Sequence, residues 1–494
     1  MKRIHFTLAC SVLLTALIGC GGGTPESKTA AAKKKGHTTE LKPVAAEAAR
    51  EFNDALQSMV AHDKANDWNE AACSEVVKKF EDAHDEEKSR QFSEATFNEG
   101  LAYQRCGNDD KAKALFEKAL KEDPKAHSAK AQLALYQYKA DGSEDNAISS
   151  LQQAVLDAQF QNVPALVNLA MFQMQRDSAQ GADGCKDDME CAKKNLQRAL
   201  AIDDAYMPAF NQLALYYFQQ AKKRAGNNRV SAKGARGRSI TTNAAMGKRA
   251  DVQQLELAAL VASQAIKKNA SYAPIHNTAG LIQNELGQVN GAVAEFASAA
   301  KLDPKFFEAQ MNYAAVNLSF RGFKQAEDAY RKALDMRPND YDAHLGLALA
   351  LRGQIDDSNY DKQLTAVQSE LDSCKKLSPD RPEVYYNEGI LVQEYRSKGL
   401  AKDKQIGVLT QAKGILQQFV DKAADKPEYA GAVKRSKERM EDIDKTVEFL
   451  NLPGEEPKAP PPAAAPAAGA AATPAPAGGA PATPAPAAPD PAKK

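Results

Sequence analysis

The residue types that carry chemistry are sparse in this chain, and their spacing assembles no catalytic set. The seven histidines (His5, His37, His62, His84, His127, His276 and His344) include no His-Glu-x-x-His pair, the spacing that places two imidazoles on one helical face for zinc. Cys185 and Cys191 stand six residues apart with no histidine near them, a poor metal set. The run Glu81-Asp82-Ala83-His84-Asp85-Glu86-Glu87 is rich in oxygen ligands, but on a helix it reads as a solvated face. There is no Gly-x-Ser-x-Gly turn, and Gly247-Lys248-Arg249 lacks the upstream glycine and following hydroxyl of a phosphate-binding loop. The reading is of a protein with no catalytic residue, metal or cofactor. Charge is what the sequence concentrates instead. Residues 222–249 carry nine basic side chains (Lys222, Lys223, Arg224, Arg229, Lys233, Arg236, Arg238, Lys248 and Arg249) and no acidic one. Read as a polycationic loop, this insertion suits an anionic partner such as a lipid headgroup, a wall polymer or an acidic protein. A flexible insertion folding back onto acidic helices fits it equally.

The elements that would hold these groups are helices. The 494 residues exceed one core-sized domain. With 64 basic and 64 acidic residues the formal net charge is zero, which argues against a chain-wide nucleic-acid binder. One Trp and 7% aromatics point to helices packed through small residues. Of 24 prolines, 13 lie from Pro453 onward. A helical body with an Ala/Pro-rich tail follows. Within the body small residues recur as Gly100, Ala134, Ala170, Ala214, Gly280, Ala314, Ala348 and Gly389, at steps of 34 or of 34 plus an insertion. Twelve residues later come Ala112, Ala292 and Ala326, then Ala119, Ala299 and Ala333, then Pro124, Pro304 and Pro338. Such a period means stacked helical hairpins. The small residues sit where two helices cross, rings such as Tyr103, Phe116, Phe296 and Tyr330 fill the holes between, and proline ends the second helix.

Residues 98–124 and 314–338 carry the small–aromatic–small–Pro pattern in full, and it resembles the tetratricopeptide repeat (TPR). The resemblance implies an all-α, TPR-type helical-hairpin solenoid, wound as a right-handed superhelix. About eight repeats fill 93–426, with the basic insertion at 222–249. Residues 44–92 read as N-terminal capping helices and 427–450 as a closing helix. In this family the inner face of each first helix binds partner peptides. Counted from the small residues, that face holds Phe97, Leu101, Leu135, Tyr138, Val167, Met171, Met174, Leu215, Phe218, Leu281, Met311, Leu345, Leu349, Tyr386 and Ile390. An apolar or helical segment of a protein partner suits such a groove, and half-burial between helices suits the same residues. Glu308 and Asp342 stand where the family's carboxylate clamp needs basic groups, so a clamp for a chaperone tail is not expected.

The first twenty residues set the compartment. Lys2 and Arg3 precede the apolar run Ile4–Ile18, too short for a stable span. It ends in Leu17-Ile18-Gly19-Cys20, which resembles the bacterial lipobox. The resemblance implies a signal peptide at 1–19, acylation of Cys20 with diacylglycerol and palmitate-like chains, and, with no Asp after Cys20, sorting to the outer membrane facing the periplasm. Residues 20–43 read as a flexible tether. An exported chain permits disulfides. Cys185 with Cys191 would stiffen an insertion, Cys73 with Cys106 would staple neighbouring helices, and Cys374 would pack as a small buried group. The tail, 453–494, cannot bury a core and reads as disordered. About 40 residues of polyproline II would reach on the order of 120 Å.

Lipobox, repeats, basic insertion and tail together resemble the TPR lipoproteins of the myxobacterial adventurous gliding motility (Glt) machinery, also through stretches such as 227–258. That resemblance implies a non-enzymatic scaffold in an envelope-spanning complex with outer-membrane β-barrel and periplasmic motility partners. An assembly factor or pilotin for a secretin, pilus or polysaccharide exporter, and a divergent cell-wall enzyme, are the alternatives.

Overall fold

The computed structural model describes residues 44–65, 67–181, 184–234 and 240–452. The leader (1–19), the tether with Cys20 (20–43), the tail (453–494) and Arg236 and Arg238 lie outside the described residues.

Helices follow one another throughout, with no strand among the described residues. They run as α1 (Ala46–Ala65), α2 (Glu70–Glu86), α3 (Ser93–Arg105), α4 (Asp109–Glu122), α5 (His127–Asp141), α6 (Glu144–Asp157), α7 (Val163–Arg176), α8 (Asp188–Ile202), α9 (Met207–Gly234) and α10 (Ile240–Lys268). The series continues as α11 (Ala273–Glu285), α12 (Val289–Leu302), α13 (Phe307–Ser319), α14 (Phe323–Met336), α15 (Tyr341–Arg352), α16 (Tyr360–Leu377), α17 (Glu383–Leu391), α18 (Lys402–Ala423) and α19 (Ala430–Asn451). A π-helical turn, Val392–Arg396, extends α17. Consecutive helices pair as hairpins and each hairpin stacks on the next. Eight hairpins fill 93–426. The segment 44–92 forms one more hairpin of the same kind, α1/α2, and α19 closes the far end.

Local chemistry starts and stops these helices. Asn108, Asn162, Asp187 and Asp340 each accept the main-chain N–H three residues on, at 2.8–3.1 Å, which satisfies one of the free amides at a helix start. Asp123, Asp203 and Asp303 repeat one turn between hairpins, each accepting the N–H two residues later. The turn inside a hairpin needs a left-handed residue, and Gly107 and Gly287 supply it with φ of 74° and 76°. Arg321 takes the same place in α13/α14 at φ 63°.

The small-residue series marks the crossings. A Cβ on Gly100 would stand 2.7 Å from the Phe116 ring, and one on Gly280 would stand 2.6 Å from Phe296. Those rings are buried, with Leu151, Leu196, Tyr330 and Leu371 standing buried on the second helices of other hairpins. Phe419, which stands where the pattern expects alanine, is buried against Tyr386 with ring centres 5.1 Å apart.

Two sequence expectations change here. The insertion at 222–249 is not a loop. Its residues up to Gly234 and from Ile240 continue α9 and α10, which reach 28 and 29 residues, and no proline stands in the insertion to end them. The acidic run of α2 is not wholly a solvated face either. Glu87 turns inward and accepts the Ala45 N–H at 2.6 Å, which fastens the start of α1.

Candidate functional site

Beyond immediate neighbours, the extensive helix contacts all join first helices of successive hairpins: α1 to α3, α7 to α9, α9 to α11, and onward to α17. The odd-numbered helices therefore form an inner row and the even-numbered helices an outer one. The fifteen apolar residues predicted to line the groove all fall on this inner row, but the structure divides them. Val167, Met174 and Phe218 are 2%, 6% and 5% exposed, and Leu135 and Ile390 are also buried. The next first helix covers three of them: Val167 and Met174 join the cluster holding Leu213 of α9, and Phe218 packs with Ile275 and Ile282 of α11. These five are corrected from groove to core. Phe97, Leu101, Tyr138, Met171, Leu215, Leu281, Met311, Leu345, Leu349 and Tyr386 remain half-exposed on the inner row.

Interleaved with them is a polar series that the apolar count passed over. Two residues before the small residue stand Asn98, Gln132, Asn168, Gln212, Asn312 and Asn387, an amide in six of the eight units. The signal was readable at a fixed offset. In space the inner-row polar groups link successive helices. Thr278 donates to Asn211 at 2.7 Å, Asn312 to Asn277 at 2.9 Å, and Arg352 to the Asn387 side-chain oxygen at 3.2 Å. The buried Gln132 oxygen has no hydrogen-bond partner among the described residues.

Charges on this wall are largely neutralised from within. Glu308 pairs with Arg337 at 2.9 Å and Asp342 with Arg381 at 2.9 Å. Each arginine also lies over a ring, Arg337 on Phe307 and Arg381 on Tyr341. Both acids are thereby fixed in structural pairs rather than free for a partner. Burial pulls the Arg352 guanidinium below the usual arginine range. Nearby, Arg439 of α19 binds Glu394 and Gln393, tying the closing helix to the π-helical turn.

The remaining predicted residues serve the scaffold. Cys73 is bonded to Cys106, joining α2 to the end of α3, and Cys185 is bonded to Cys191. The latter bridge sits beside a bidentate Arg176–Asp188 pair, with Arg176 reaching Asp145 as well. Cys374 is buried, which pushes its thiol up to about 12. His276 and His344 occupy equivalent places and bridge alike. Each sets Nδ1 against a glutamate of its own hairpin, Glu295 or Glu370, and Nε2 against the carbonyl six residues before it. The hydrogen bond that His276 donates to Glu295 raises the His276 pKa. At the base of the basic hairpin, Lys223 pairs with Asp177 at 2.7 Å and Lys222 lies over the Phe218 ring. No group of three or more metal-ligating side chains converges among the described residues, and no described helix is long and apolar enough to cross a membrane.

Residues 93–126, the α3/α4 unit, match the tetratricopeptide repeat family model. Domains of this class generally mediate protein–protein interactions and are typically non-enzymatic scaffolds. Comparison with curated proteins finds no match. Among solved structures the chain is similar to a thermophilic TPR protein of Thermus thermophilus, with 23% identity over 53% of this chain and 100% of that one, at a TM-score of 0.31. It is similar to YrrB, a TPR protein, with 15% identity over 48% of this chain and 97% of that one, at 0.32. A monomeric mutant of IFIT1 aligns over 81% of this chain and 86% of its own, with 17% identity and a TM-score of 0.46.

Proposed function

We propose that this protein is an outer-membrane, periplasm-facing lipoprotein scaffold, without catalytic activity, that holds protein partners along its inner row in an envelope-spanning gliding motility complex. The observation that carries the scaffold reading is the run of half-exposed apolar side chains interleaved with amides over successive inner helices. The apolar groups supply the area that grips a peptide segment, and the amides join one inner helix to the next. The sequence at Cys20 and the resemblance to gliding-machinery lipoproteins support the compartment and the complex. The test is affinity capture of the intact chain from solubilised envelopes, beside a Leu345→Lys, Leu349→Lys variant. Outer-membrane barrel and motility proteins should co-purify with the wild type and not with the variant. Capture of only secretin or pilus components would overturn the gliding assignment, and equal capture by both chains would overturn the inner-row assignment.

A further inference from the structure

We infer that the inner row carries a receptor for one acidic side chain of the segment it holds, and that Arg352 is its centre. The inference rests on the inner-row reading proposed above and names the chemistry of the partner there.

Three first helices end on an arginine: α3 on Arg105, α7 on Arg176 and α15 on Arg352. The chain itself supplies a carboxylate to the first two. Arg105 pairs with Asp63 at 2.7 Å and Arg176 with Asp188 at 2.7 Å. Arg352 receives none among the described residues. Its Nη1 donates to the Asn387 side-chain oxygen at 3.2 Å and to the Asn387 carbonyl at 3.4 Å. Both acceptors are neutral, and both contacts are long beside the roughly 2.7–2.9 Å of a guanidinium on a carboxylate. The Nε and Nη2 groups, which form the other edge of the fork, have no hydrogen-bond partner among the described residues.

The surroundings add positive charge rather than cancel it. Glu394 acts on Arg352 from a distance, but it is bound by Arg439 at 2.7 Å. Arg435 of α19 reaches the Tyr386 hydroxyl at 3.5 Å. Arg352, Arg435 and Arg439 thus gather about Tyr386 and the π-helical turn with Glu394 as the acid paired among them. Arg352 is also half-buried, and a charge drawn out of water without a counter-ion is costly. An incoming carboxylate would relieve that cost and use the idle edge of the fork.

The apolar contacts favour a side chain over a chain end. Leu345, Leu349 and Arg352 follow one another at four and three residues, so they share one face of α15, and all three are half-exposed. Tyr386 continues the half-exposed apolar surface on α17. A segment lying along Leu345 and Leu349 therefore has apolar surface on both sides of the guanidinium, and it passes Arg352 rather than stopping there.

The test titrates the full-length chain, by fluorescence anisotropy, with labelled peptides of leucine, alanine and serine capped at both ends. One carries a central glutamate and one a central glutamine. A third has the glutamine and a free C-terminal carboxylate. The glutamate peptide should bind about tenfold to a hundredfold more tightly than the capped glutamine peptide. Arg352→Gln should erase that preference and leave the glutamine peptide's affinity unchanged, which also shows that the groove is intact. Arg352→Lys, which keeps the charge and loses the fork, should retain part of the preference. Equal binding of the two capped peptides to the wild type would overturn the inference and leave the inner-row reading standing. A glutamate preference that survives Arg352→Gln, or tighter binding of the free chain end than of the glutamate, would overturn it as well. So would failure of all three peptides to bind, with the inner-row reading then decided by the envelope capture.

Discussion

Glu99 offers the sharpest quantitative test of how the first repeats are built. It lies buried on α3 under the influence of Glu81 and Asp85 of α2 and Glu122 of α4, with Lys118 opposing them. Burial first, and then the neighbouring carboxylates, raise its pKa from 4.5 to about 7. A raised carboxyl favours the folded state while it is protonated. Below pH 4.5 both states bind the proton and the group is neutral in effect. Between 4.5 and 7 the unfolded chain releases the proton and the folded one keeps it, so stability falls as pH rises, and the loss is complete above about 7. At ~1.4 kcal/mol per pH unit the full loss is about 3 kcal/mol, of which about 2.5 falls between pH 5 and pH 8. Glu99→Gln keeps the shape and removes the titration. Trp68, the chain's single tryptophan, sits between Asp63 and Arg105 and reports this region locally, which matters because stacked repeats do not unfold as one unit. In urea titrations followed by Trp68 fluorescence, the two chains should match at pH 5, and the variant should be the more stable at pH 8 by about 2–3 kcal/mol, a midpoint shift on the order of 1 M. Parallel pH profiles for wild type and variant would refute the reasoning.

Three further outcomes follow from the same structure. Replacing Cys73 and Cys106 with serine opens a loop closed across 33 residues and should cost the N-terminal hairpins about 3–4 kcal/mol by the same fluorescence titration; an unchanged midpoint would mean the bridge adds nothing. Arg321→Gly relieves a left-handed residue and should stabilise the α13/α14 hairpin by about 1 kcal/mol, read as slower hydrogen exchange in those helices. Met174→Gln buries an amide in the α7–α9 seam and should destabilise by about 2–4 kcal/mol, whereas Met171→Gln on the half-exposed face should alter stability by less than about 1 kcal/mol; calorimetry separates the two.

The hairpin stack was legible because its physics repeats. A small residue at each crossing, a ring opposite it and a proline after it recur at a fixed step, and the extra spacing between Ala214 and Gly280 located the long hairpin. What periodicity could not settle was rotation about the helix axis. Met171 and Met174 lie three residues apart on one predicted face, yet Met174 is buried and Met171 is left half-exposed. Counting apolar positions also hid the amide series, since an amide such as Asn312 or Asn387 reads as solvated until its partner on the neighbouring inner helix is seen. The basic insertion read as a loop because its charge and glycines outweighed its alanines, and continuous helix is a property of the backbone that charge does not report. The roles of His276 and His344 depend on glutamates nineteen and twenty-six residues away, beyond any local pattern.

The central claim is that the inner row holds protein partners. A photo-crosslinking residue placed singly at Leu281 or Leu349 on the inner row, and at Gln197 or Lys332 on the outer helices, tests it in the cells that make the protein. The account predicts discrete crosslinked protein adducts from the two inner positions and none from the two outer ones. Adducts of the same partners from the outer positions, with the inner ones silent, would contradict it.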